Sequence, residues 1–204
     1  MRELSSSEIK TIEYYNENAN AFIDRTFSID VSSTYARFLP LVKKGGSILD
    51  AGCGSGRDII NFSKAGYDAS AFDASKILAS KASKLTGKLV DCSTFEEMDY
   101  FQEFDGVWCC ASLLHVPADN LQGVLVKIER ALRIGGALYL SFKTELKTND
   151  QRHYTIMSSM ELQELLEKSG LLETQYLWES KWGCYVSKSL FLQTPESNHE
   201  SWQN

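Results

Sequence analysis

Positive charge is scarce in this sequence, and the segments that mark membrane or secreted proteins are missing. The 21 Lys and Arg residues are outnumbered by 27 Asp and Glu residues, which gives a formal net charge of −6. Because proteins bind nucleic acids through clustered basic side chains, this balance argues against a nucleic-acid partner. Residues 1–15 lack the apolar centre of a signal peptide, and no apolar run approaches the roughly 18 residues of a membrane span. We therefore expect a cytoplasmic protein with no membrane partner.

Cysteine pairing and metal-ligand spacing are also missing. The chain has five cysteines, an odd number, and no C-x-x-C pair occurs among them. Cys109 and Cys110 are adjacent within an apolar run, which suits buried thiols better than metal ligands. We expect a reducing compartment and no metal site. Since 43% of the 204 residues are hydrophobic, the chain can form the core of a single domain without disulfides.

What the sequence does have is a regular alternation of strand and helix patterns. Residues 5–42 have apolar residues at helical spacing, and over residues 47–142 short apolar strands alternate with helices. Such alternation is typical of right-handed β-α-β units in a mostly parallel sheet. Two final strands are predicted over residues 171–179 and 184–192. Strands separated by so short a turn pair antiparallel.

The stretch ILDAGCGSGRD, residues 48–58, places three glycines directly after the first predicted strand. Glycines at such a turn let the backbone approach a ligand closely. The dinucleotide-binding turn has the spacing G-x-G-x-x-G, whereas Gly52, Gly54 and Gly56 give G-x-G-x-G. Asp58 falls in the first turn of the next helix, where a carboxylate competes with a phosphate for the helix N-terminus. The turn therefore favours a cationic or zwitterionic ligand over a pyrophosphate.

Asp73 ends the second predicted strand, 21 residues after Gly52. In nucleotide-binding sheets an acidic residue at this place accepts hydrogen bonds from the hydroxyls of a ribose. Together with the turn, it indicates a ligand that has a ribose but no phosphate beside the glycines. S-adenosylmethionine combines an adenosine, a sulfonium cation and an amino-acid tail, and it meets these requirements.

In these motifs and their order the chain resembles the class I S-adenosylmethionine-dependent methyltransferases, and within them the small-molecule branch that includes tellurite-resistance-type methyltransferases. The resemblance implies a Rossmann-like α/β fold: a seven-stranded, mostly parallel sheet with helices on both faces and an antiparallel last strand. It covers residues 35–145 and rests on five stretches: ILDAGCGSGRD at 48–58, AFDAS at 71–75, LVD at 89–91, FDGVWCCASLLHVP at 104–117 and ALRIGGALYLSFK at 131–143.

The resemblance also implies how the chain is divided. Residues 1–44 would form a helical cap over the cofactor site. Residues 45–194 would form the cofactor-binding core of what is a single domain. Residues 195–204 would be a polar tail.

Cofactor contacts are implied residue by residue. The glycine turn would approach the methionine part, Asp73 would bind the ribose, and Ala74 would pack on the adenine. Residues 91–93 would border the adenine, and the carbonyl groups of residues 110–112 would face the amino group. The implied cofactor-binding residues are Tyr15, Arg37, Asp50, Gly52, Cys53, Gly54, Gly56, Asp73, Ala74, Ser75, Asp91, Cys92, Ser93, Cys110, Ala111 and Ser112.

Of these residues, Tyr15 and Arg37 lie outside the five stretches, and Asp50 directly precedes the glycine turn. Tyr15 resembles an N-terminal tyrosine that closes over the cofactor. Arg37 would meet the methionine carboxylate. Asp50 is either a cofactor contact or a structural carboxylate that binds the backbone.

His115 is the candidate catalytic base, because it follows the fourth predicted strand at the ligand edge of the sheet. The alternative is a histidine that hydrogen-bonds the backbone or lines the pocket without transferring a proton. Tyr14 is a further candidate for the substrate pocket. Arg152 and Tyr154 are others, in a polar loop that is either a substrate lid or a solvated connection.

We therefore expect in-line methyl transfer from S-adenosylmethionine to a small-molecule acceptor, by a monomer or a homodimer. Two other classes stay open: an NAD(P)-dependent oxidoreductase, and a protein that binds S-adenosylmethionine without turnover. The segment ASLLHVP, residues 111–117, has no N-P-P-Y-like tetrapeptide, which argues against nucleic-acid bases as acceptors. Oxygen, nitrogen, sulfur and metalloid acceptors are not distinguished.

Overall fold

The computed structural model describes residues 3–143, 151–179 and 182–189, with side chains up to Leu171. The α-helices are α1 (Ser6–Glu17), α2 (Ala19–Thr26), α3 (Ser32–Phe38), α4 (Arg57–Lys64), α5 (Lys76–Thr86), α6 (Ala118–Ala131) and α7 (Ser159–Lys168). The strands are β1 (Ser47–Ala51), β2 (Asp68–Asp73), β3 (Val90–Cys92), β4 (Phe104–Cys109), β5 (Leu132–Lys143), β6 (Leu171–Glu179) and β7 (Trp182–Ser189). The predicted polar tail, residues 195–204, lies outside the described residues.

All of these strands join one sheet, in the order β3-β2-β1-β4-β5-β7-β6. Strands β1 to β5 run parallel to their neighbours, as expected when helices form the connections between them. The predicted Rossmann-like parallel sheet is thereby confirmed. Strand β7 pairs antiparallel with both β5 and β6. From β1 the chain first adds β2 and β3 on one side and then β4 and β5 on the other, so the strand order reverses beside β1. Ligands of such sheets bind at this switch point.

Helices cover both faces of the sheet because successive strand residues point to opposite sides. In β4, Val107 belongs to a core that also contains the apolar faces of α6 and α7. Its neighbour Trp108 belongs to a second core that α3, α4 and α5 complete. None of the described helices has the length and apolar composition that crossing a bilayer requires.

The helical pattern of residues 5–42 is confirmed, but it is divided into three helices and one short 3-10 turn. Helix α1 begins with a capping box, in which Ser5 accepts a hydrogen bond from the Glu8 N–H and the Glu8 carboxylate accepts one from the Ser5 N–H. The break between α1 and α2 falls at Asn18, whose side-chain amide donates to the Tyr14 carbonyl. These helices bring residues of the N-terminal segment over the carboxyl ends of the strands.

The stretch TFEEMDYFQE, residues 94–103, predicts a short helix, and this prediction is wrong beyond the first turn. Only Phe95–Glu97 is helical, as a 3-10 turn. The backbone N–H groups of Gln102 and Glu103 donate instead to carbonyl groups of Arg130 and Ala131 at the end of α6. Because these donors find partners in another element, the segment has no need of helical hydrogen bonds.

The glycine turn between β1 and α4 has two glycines with φ near +77°. A Cβ on Gly52 would lie 2.5 Å from the Cβ of Ser112, and a Cβ on Gly56 would lie 2.8 Å from Thr86 Cγ2. Side chains are therefore excluded at both positions by conformation and by space. The turn packs directly against the end of β4 on one side and against α5 on the other.

Gly52→Ala is expected to destabilise the fold more than Gly87→Ala. Gly87 has a similar positive φ, but nothing lies within 4 Å of the place where its Cβ would be. Both variants lose about 1 kcal/mol through the strained backbone, and the clash with Ser112 adds about 1–3 kcal/mol at Gly52 alone. Equilibrium unfolding in urea measures the two free energies. Equal losses would contradict the close packing of the turn on β4.

Candidate functional site

A cavity of about 680 Å³ lies at the carboxyl ends of the parallel strands. The glycine turn, the ends of β2, β4 and β5, and residues of α1 and α2 form its walls. Its size is within the range of pockets that hold cofactors and drug-sized ligands. The predicted cofactor and substrate residues that line it are Tyr14, Tyr15, Gly52, Cys53, Gly54, Asp73, Ala74, Ser75, Cys110, Ala111, Ser112, His115, Arg152 and Tyr154.

The structure does not bring the other predicted residues to the cavity wall. Arg37 is exposed, because the buried face of α3 is formed by Thr34 and Phe38. In place of residues 91–93, the segment that follows them, Thr94–Glu96, lines the cavity. Predicted cofactor residues outside the lining are Arg37, Asp50, Gly56, Asp91, Cys92 and Ser93.

Asp73 ends β2 at the cavity wall, with its carboxylate held by two backbone groups. Oδ2 accepts a hydrogen bond from the Gly54 N–H and Oδ1 accepts one from the Ser75 N–H, each at 2.8 Å. Burial raises the pKa of Asp73 to about 6, and the two N–H donors act against this shift. Since each carboxylate oxygen has a second lone pair, the group can still accept two hydroxyl donors. This is the acceptor pair that a ribose diol needs.

The carboxylate of Asp58 is hydrogen-bonded to side chains, and a neighbouring positive charge balances its own. Its carboxylate accepts hydrogen bonds from the indole N–H of Trp108 at 2.9 Å and from the hydroxyl of Tyr35. Arg57 adds two more, from Nε at 2.7 Å and from Nη2 at 2.9 Å. The expected competition between Asp58 and a phosphate is therefore reduced, because the guanidinium of Arg57 balances the carboxylate. Arg57 also lines the cavity, a position that the residues around it in the sequence do not indicate.

Asp50 is buried in β1, directly before the glycine turn. It is 1% exposed, and its Oδ2 has no hydrogen-bond partner among the described residues. Burial raises the pKa of Asp50 well above its usual value, the charges of Asp58 and Asp73 add to the shift, and Arg57 opposes it. A buried carboxyl with an unsatisfied oxygen favours a ligand that brings positive charge or an N–H donor close by. The turn therefore fits a zwitterionic ligand better than a purely anionic one.

Both ring nitrogens of His115 have partners. Nδ1 lies 2.6 Å from the carbonyl oxygen of His153, and because a carbonyl only accepts, Nδ1 carries the proton. Nε2 then accepts a hydrogen bond from the Tyr15 hydroxyl at 2.8 Å, and Arg152 donates to that same hydroxyl at 3.0 Å. Burial, followed by the positive charges of Arg152 and Lys143, lowers the pKa of His115 to about 4 against the bond to His153. His115 is neutral at pH 7, and Tyr15 stands at its only unprotonated nitrogen.

Helix α1 forms one wall of the cavity and is attached on two sides. Near its C-terminus, Asn16 accepts hydrogen bonds from the Ser75 hydroxyl at 2.7 Å and from the Ile77 N–H at 3.3 Å. Further back, the hydroxyl of Thr11 accepts the backbone N–H of His153 at 2.8 Å. The helix thus connects the end of β2 with the segment that carries Arg152.

Two further lining residues could not be identified from the sequence, because nothing in the neighbouring residues indicates a binding role. The ring of Phe22 lies 2.8 Å from the place of a Cβ on Gly54, so it packs on the glycine turn. In the sequence Phe22 has the spacing of an ordinary core residue of a helix. Lys143 is the last residue of β5. In the sequence, a lysine at this place indicates only that the strand ends at the surface.

Comparison with known proteins agrees with this geometry. Residues 49–140 match a protein family described as a methyltransferase domain, and no curated protein sequence matches the chain. The fold is similar to the Burkholderia thailandensis 1,6-didemethyltoxoflavin-N1-methyltransferase, crystallised with 1,6-didemethyltoxoflavin and S-adenosylhomocysteine; identity is 20%, 93% of each chain is covered, and the TM-score is 0.69. It is also similar to the magnesium protoporphyrin IX methyltransferase of Synechocystis PCC 6803 with bound S-adenosylmethionine; identity is 15%, coverage is 92% of this chain and 99% of that one, and the TM-score is 0.71. At such identities the likeness concerns the fold.

Asp73→Asn is expected to weaken the binding of S-adenosylhomocysteine by about a hundredfold, the effect of losing a charged hydrogen-bond acceptor. The amide replaces one acceptor oxygen by a donor that faces a backbone N–H. Isothermal titration calorimetry measures the Kd. The matched control is Asp68→Asn at the other end of β2, where the side chain is 77% exposed. Similar affinities in the two variants would contradict the role of Asp73.

The affinity for S-adenosylhomocysteine is expected to fall as the pH decreases below about 6. Hydroxyl donors need the ionised carboxylate, and with a pKa of about 6 Asp73 holds a proton below that pH in the free protein. Binding must then release this proton, so the Kd rises about tenfold for each pH unit well below the pKa. Calorimetric titrations at about pH 7.5 and about pH 5 measure the change. Asp73→Asn should lack this dependence, and a flat profile in the unmodified protein would contradict the assignment.

Proposed function

We propose that this chain is a class I S-adenosylmethionine-dependent methyltransferase that transfers the methyl group to a small-molecule acceptor. The observation that carries the proposal is the buried carboxylate of Asp73, bonded to the Gly54 N–H at the wall of the cavity. The cavity volume of about 680 Å³ supports a small acceptor. So do the two similar enzymes, whose names describe action on didemethyltoxoflavin and on magnesium protoporphyrin IX.

For the cofactor we propose the following contacts within the cavity. The backbone of residues 52–54 would approach the methionine part, and Asp73 would accept the ribose hydroxyls. Ala74 and Ser75 would lie against the adenine, which residues 91–93 would border from outside the cavity wall. The carbonyl groups of residues 110–112 would face the amino group.

Arg57 replaces Arg37 as our candidate for the methionine carboxylate. Arg57 lines the cavity beside the glycine turn, with its side chain 13% exposed, whereas Arg37 is exposed on α3. Its Nη1 has only a long contact, 3.4 Å, with the Thr26 carbonyl, so a carboxylate can compete for this donor. The unsatisfied Oδ2 of Asp50 is consistent with an ammonium or sulfonium charge near the same turn.

The proposed division of the chain follows the same geometry. Residues 1–44 act as a cap, since Tyr15 and Phe22 of this segment line the cavity. Residues 45–194 would form the core, and in its described part strand β7 pairs antiparallel with β5. A single domain results, in which the cap completes the site.

In the proposed mechanism the protein orients the acceptor and excludes water. It also takes up a proton when the acceptor must lose one. When bound, the cofactor supplies a methyl group on a positively charged sulfur, which is a good leaving group. Helix α1 and residues 152–154 cover the acceptor. His115 is our candidate base, and it works through Tyr15, because its Nδ1–H is committed to the His153 carbonyl and its Nε2 accepts from the Tyr15 hydroxyl.

Two alternatives make different predictions. An NAD(P)-dependent oxidoreductase would need a pyrophosphate site at the glycine turn, where the early third glycine and the unsatisfied Asp50 count against it. A protein that binds S-adenosylmethionine without turnover would keep every contact described for the cofactor. Only a test of methyl transfer separates that case from an active enzyme.

Incubation with S-adenosylmethionine labelled at its methyl group is expected to label a low-molecular-weight component of a metabolite extract.

Thermal unfolding should show stabilisation by S-adenosylhomocysteine and none by NAD, because only a ligand of the native state raises the Tm. The variant Asp73→Asn is the inactive control. Label confined to protein or RNA would contradict a small acceptor. Stabilisation without any labelling would indicate binding alone, and stabilisation by NAD alone would overturn the assignment.

A further inference from the structure

The backbone takes a left-handed conformation just after β4, at Ala111, whose φ is +55°. Such a φ is unfavourable for a residue with a Cβ, and alanine has no polar side-chain atom that could compensate. Among the residues that the structure describes, Gln102 is the one other non-glycine residue with a positive φ. Ala111 lines the cavity, whereas Gln102 does not. Strained backbone of this kind persists where surrounding groups hold it, and it is concentrated at ligand sites.

The hydroxyl of Ser141 holds this turn in place. The Ala111 N–H donates a hydrogen bond to Ser141 Oγ at 2.8 Å. Ser141 lies in β5, the strand next to β4, and it lines the cavity although it is 3% exposed. Because a backbone N–H without an acceptor is costly away from water, this bond favours the conformation in which the Ala111 N–H faces β5.

The same hydrogen bond sets the direction of the Cys110 carbonyl, which shares a peptide plane with the Ala111 N–H. In a trans peptide the C=O and N–H groups point in opposite directions, and the described residues have no cis peptide bond. Since the N–H faces Ser141, the Cys110 carbonyl points away from β5. The other neighbour of β4 is β1, which leads into the glycine turn. The carbonyl therefore faces the glycine-turn side of the cavity.

Ser112 attaches the same segment on its β1 side. Its hydroxyl donates to the Ala51 carbonyl at 2.7 Å. Residues 110–112 are thus bonded to β5 through Ser141 and to β1 through Ser112. The Cys110 carbonyl is fixed from both sides, so its direction is set before a ligand binds.

The side of the cavity that this carbonyl faces favours a cationic donor. Asp50 of β1 is paired in register with Trp108 of β4, and its Oδ2 has no hydrogen-bond partner among the described residues. A carbonyl oxygen accepts hydrogen bonds and cannot donate them, and a charged donor gives a stronger bond than a neutral one. Two acceptors at neighbouring strand ends are best satisfied by an ammonium group.

We propose that Ser141 is a positioning residue for the amino group of the cofactor: its hydroxyl holds the left-handed turn at Ala111 and thereby aims the Cys110 carbonyl at the ammonium of the methionine part. The inference rests on the proposed function and adds a residue that acts through the backbone of another. A serine with a purely structural role would satisfy the same N–H, and its loss would weaken all ligands of the cavity alike. A positioning role predicts a loss confined to ligands that carry the amino group.

The test compares S-adenosylhomocysteine with its deamino analogue, in which a hydrogen atom replaces the amino group. Calorimetric titration gives the first Kd, and displacement titration gives the second. The unmodified protein should bind S-adenosylhomocysteine at least about tenfold more tightly than the analogue. In Ser141→Ala this preference should fall by about fivefold, because the carbonyl is no longer held in its direction. The two constants are compared within one protein, so a change in stability affects both ligands equally and cancels.

The matched control is Ser83→Ala. The Ser83 hydroxyl also accepts a backbone N–H, that of Val90 at 3.0 Å, but Ser83 does not line the cavity. This variant should keep the full preference for S-adenosylhomocysteine. If Ser141→Ala does not fold, Ser141→Cys takes its place, because a thiol of similar size is a weak acceptor.

Three results would overturn the proposal. They are equal affinities of the two ligands in the unmodified protein, an unchanged preference when Ser141 is replaced, and an equal loss of preference in Ser83→Ala. Failure of the unmodified protein to bind S-adenosylhomocysteine at all would contradict the proposed function itself. Tight binding of S-adenosylhomocysteine together with any of the three results would contradict the role of Ser141 alone.

Discussion

The two hydrogen bonds that Asp73 accepts, from Gly54 and from Ser75, hold the site together. They connect the turn after β1, the end of β2 and the beginning of α5 through a single carboxylate. Ser112 adds β4 to this junction by donating its hydroxyl to the Ala51 carbonyl at 2.7 Å. The cost is a buried carboxylate whose pKa is raised to about 6. Such a group is costly to bury, and the proposed contact with ribose hydroxyls would give a reason for its place at the cavity wall.

The second half of the site depends on contacts between distant parts of the chain. Tyr15, His115 and Arg152 meet at one hydroxyl group, although they come from α1, from the segment after β4 and from the segment after β5. Helix α1 also bonds to Ser75 and to the backbone of His153. One short helix therefore contacts both the Asp73 side of the cavity and the side that carries His115 and Arg152.

Local patterns were sufficient for the elements that carry the cofactor. The apolar run at residues 47–51 predicts a strand and Ser75 predicts a helix cap, and both are confirmed: β1 spans Ser47–Ala51, and Ser75 caps α5 by accepting the Leu78 N–H. Both features depend on neighbours in sequence. Asp73 could be predicted for the same reason, as the last residue of a short strand at a fixed interval from the glycines. Local patterns fail where a hydrogen-bond partner is distant in sequence. The N–H groups of residues 102 and 103 donate to the end of α6, so the expected helix over 94–103 ends after one turn.

The arginines illustrate the same limit in the site. From the sequence, Arg37 was the candidate for the methionine carboxylate and Arg57 was not. The three-dimensional structure separates them, because the buried face of α3 uses Thr34 and Phe38 and turns Arg37 outward. His115 was identified by its place after β4, but its dependence on Tyr15 was not, since the two residues are 100 positions apart.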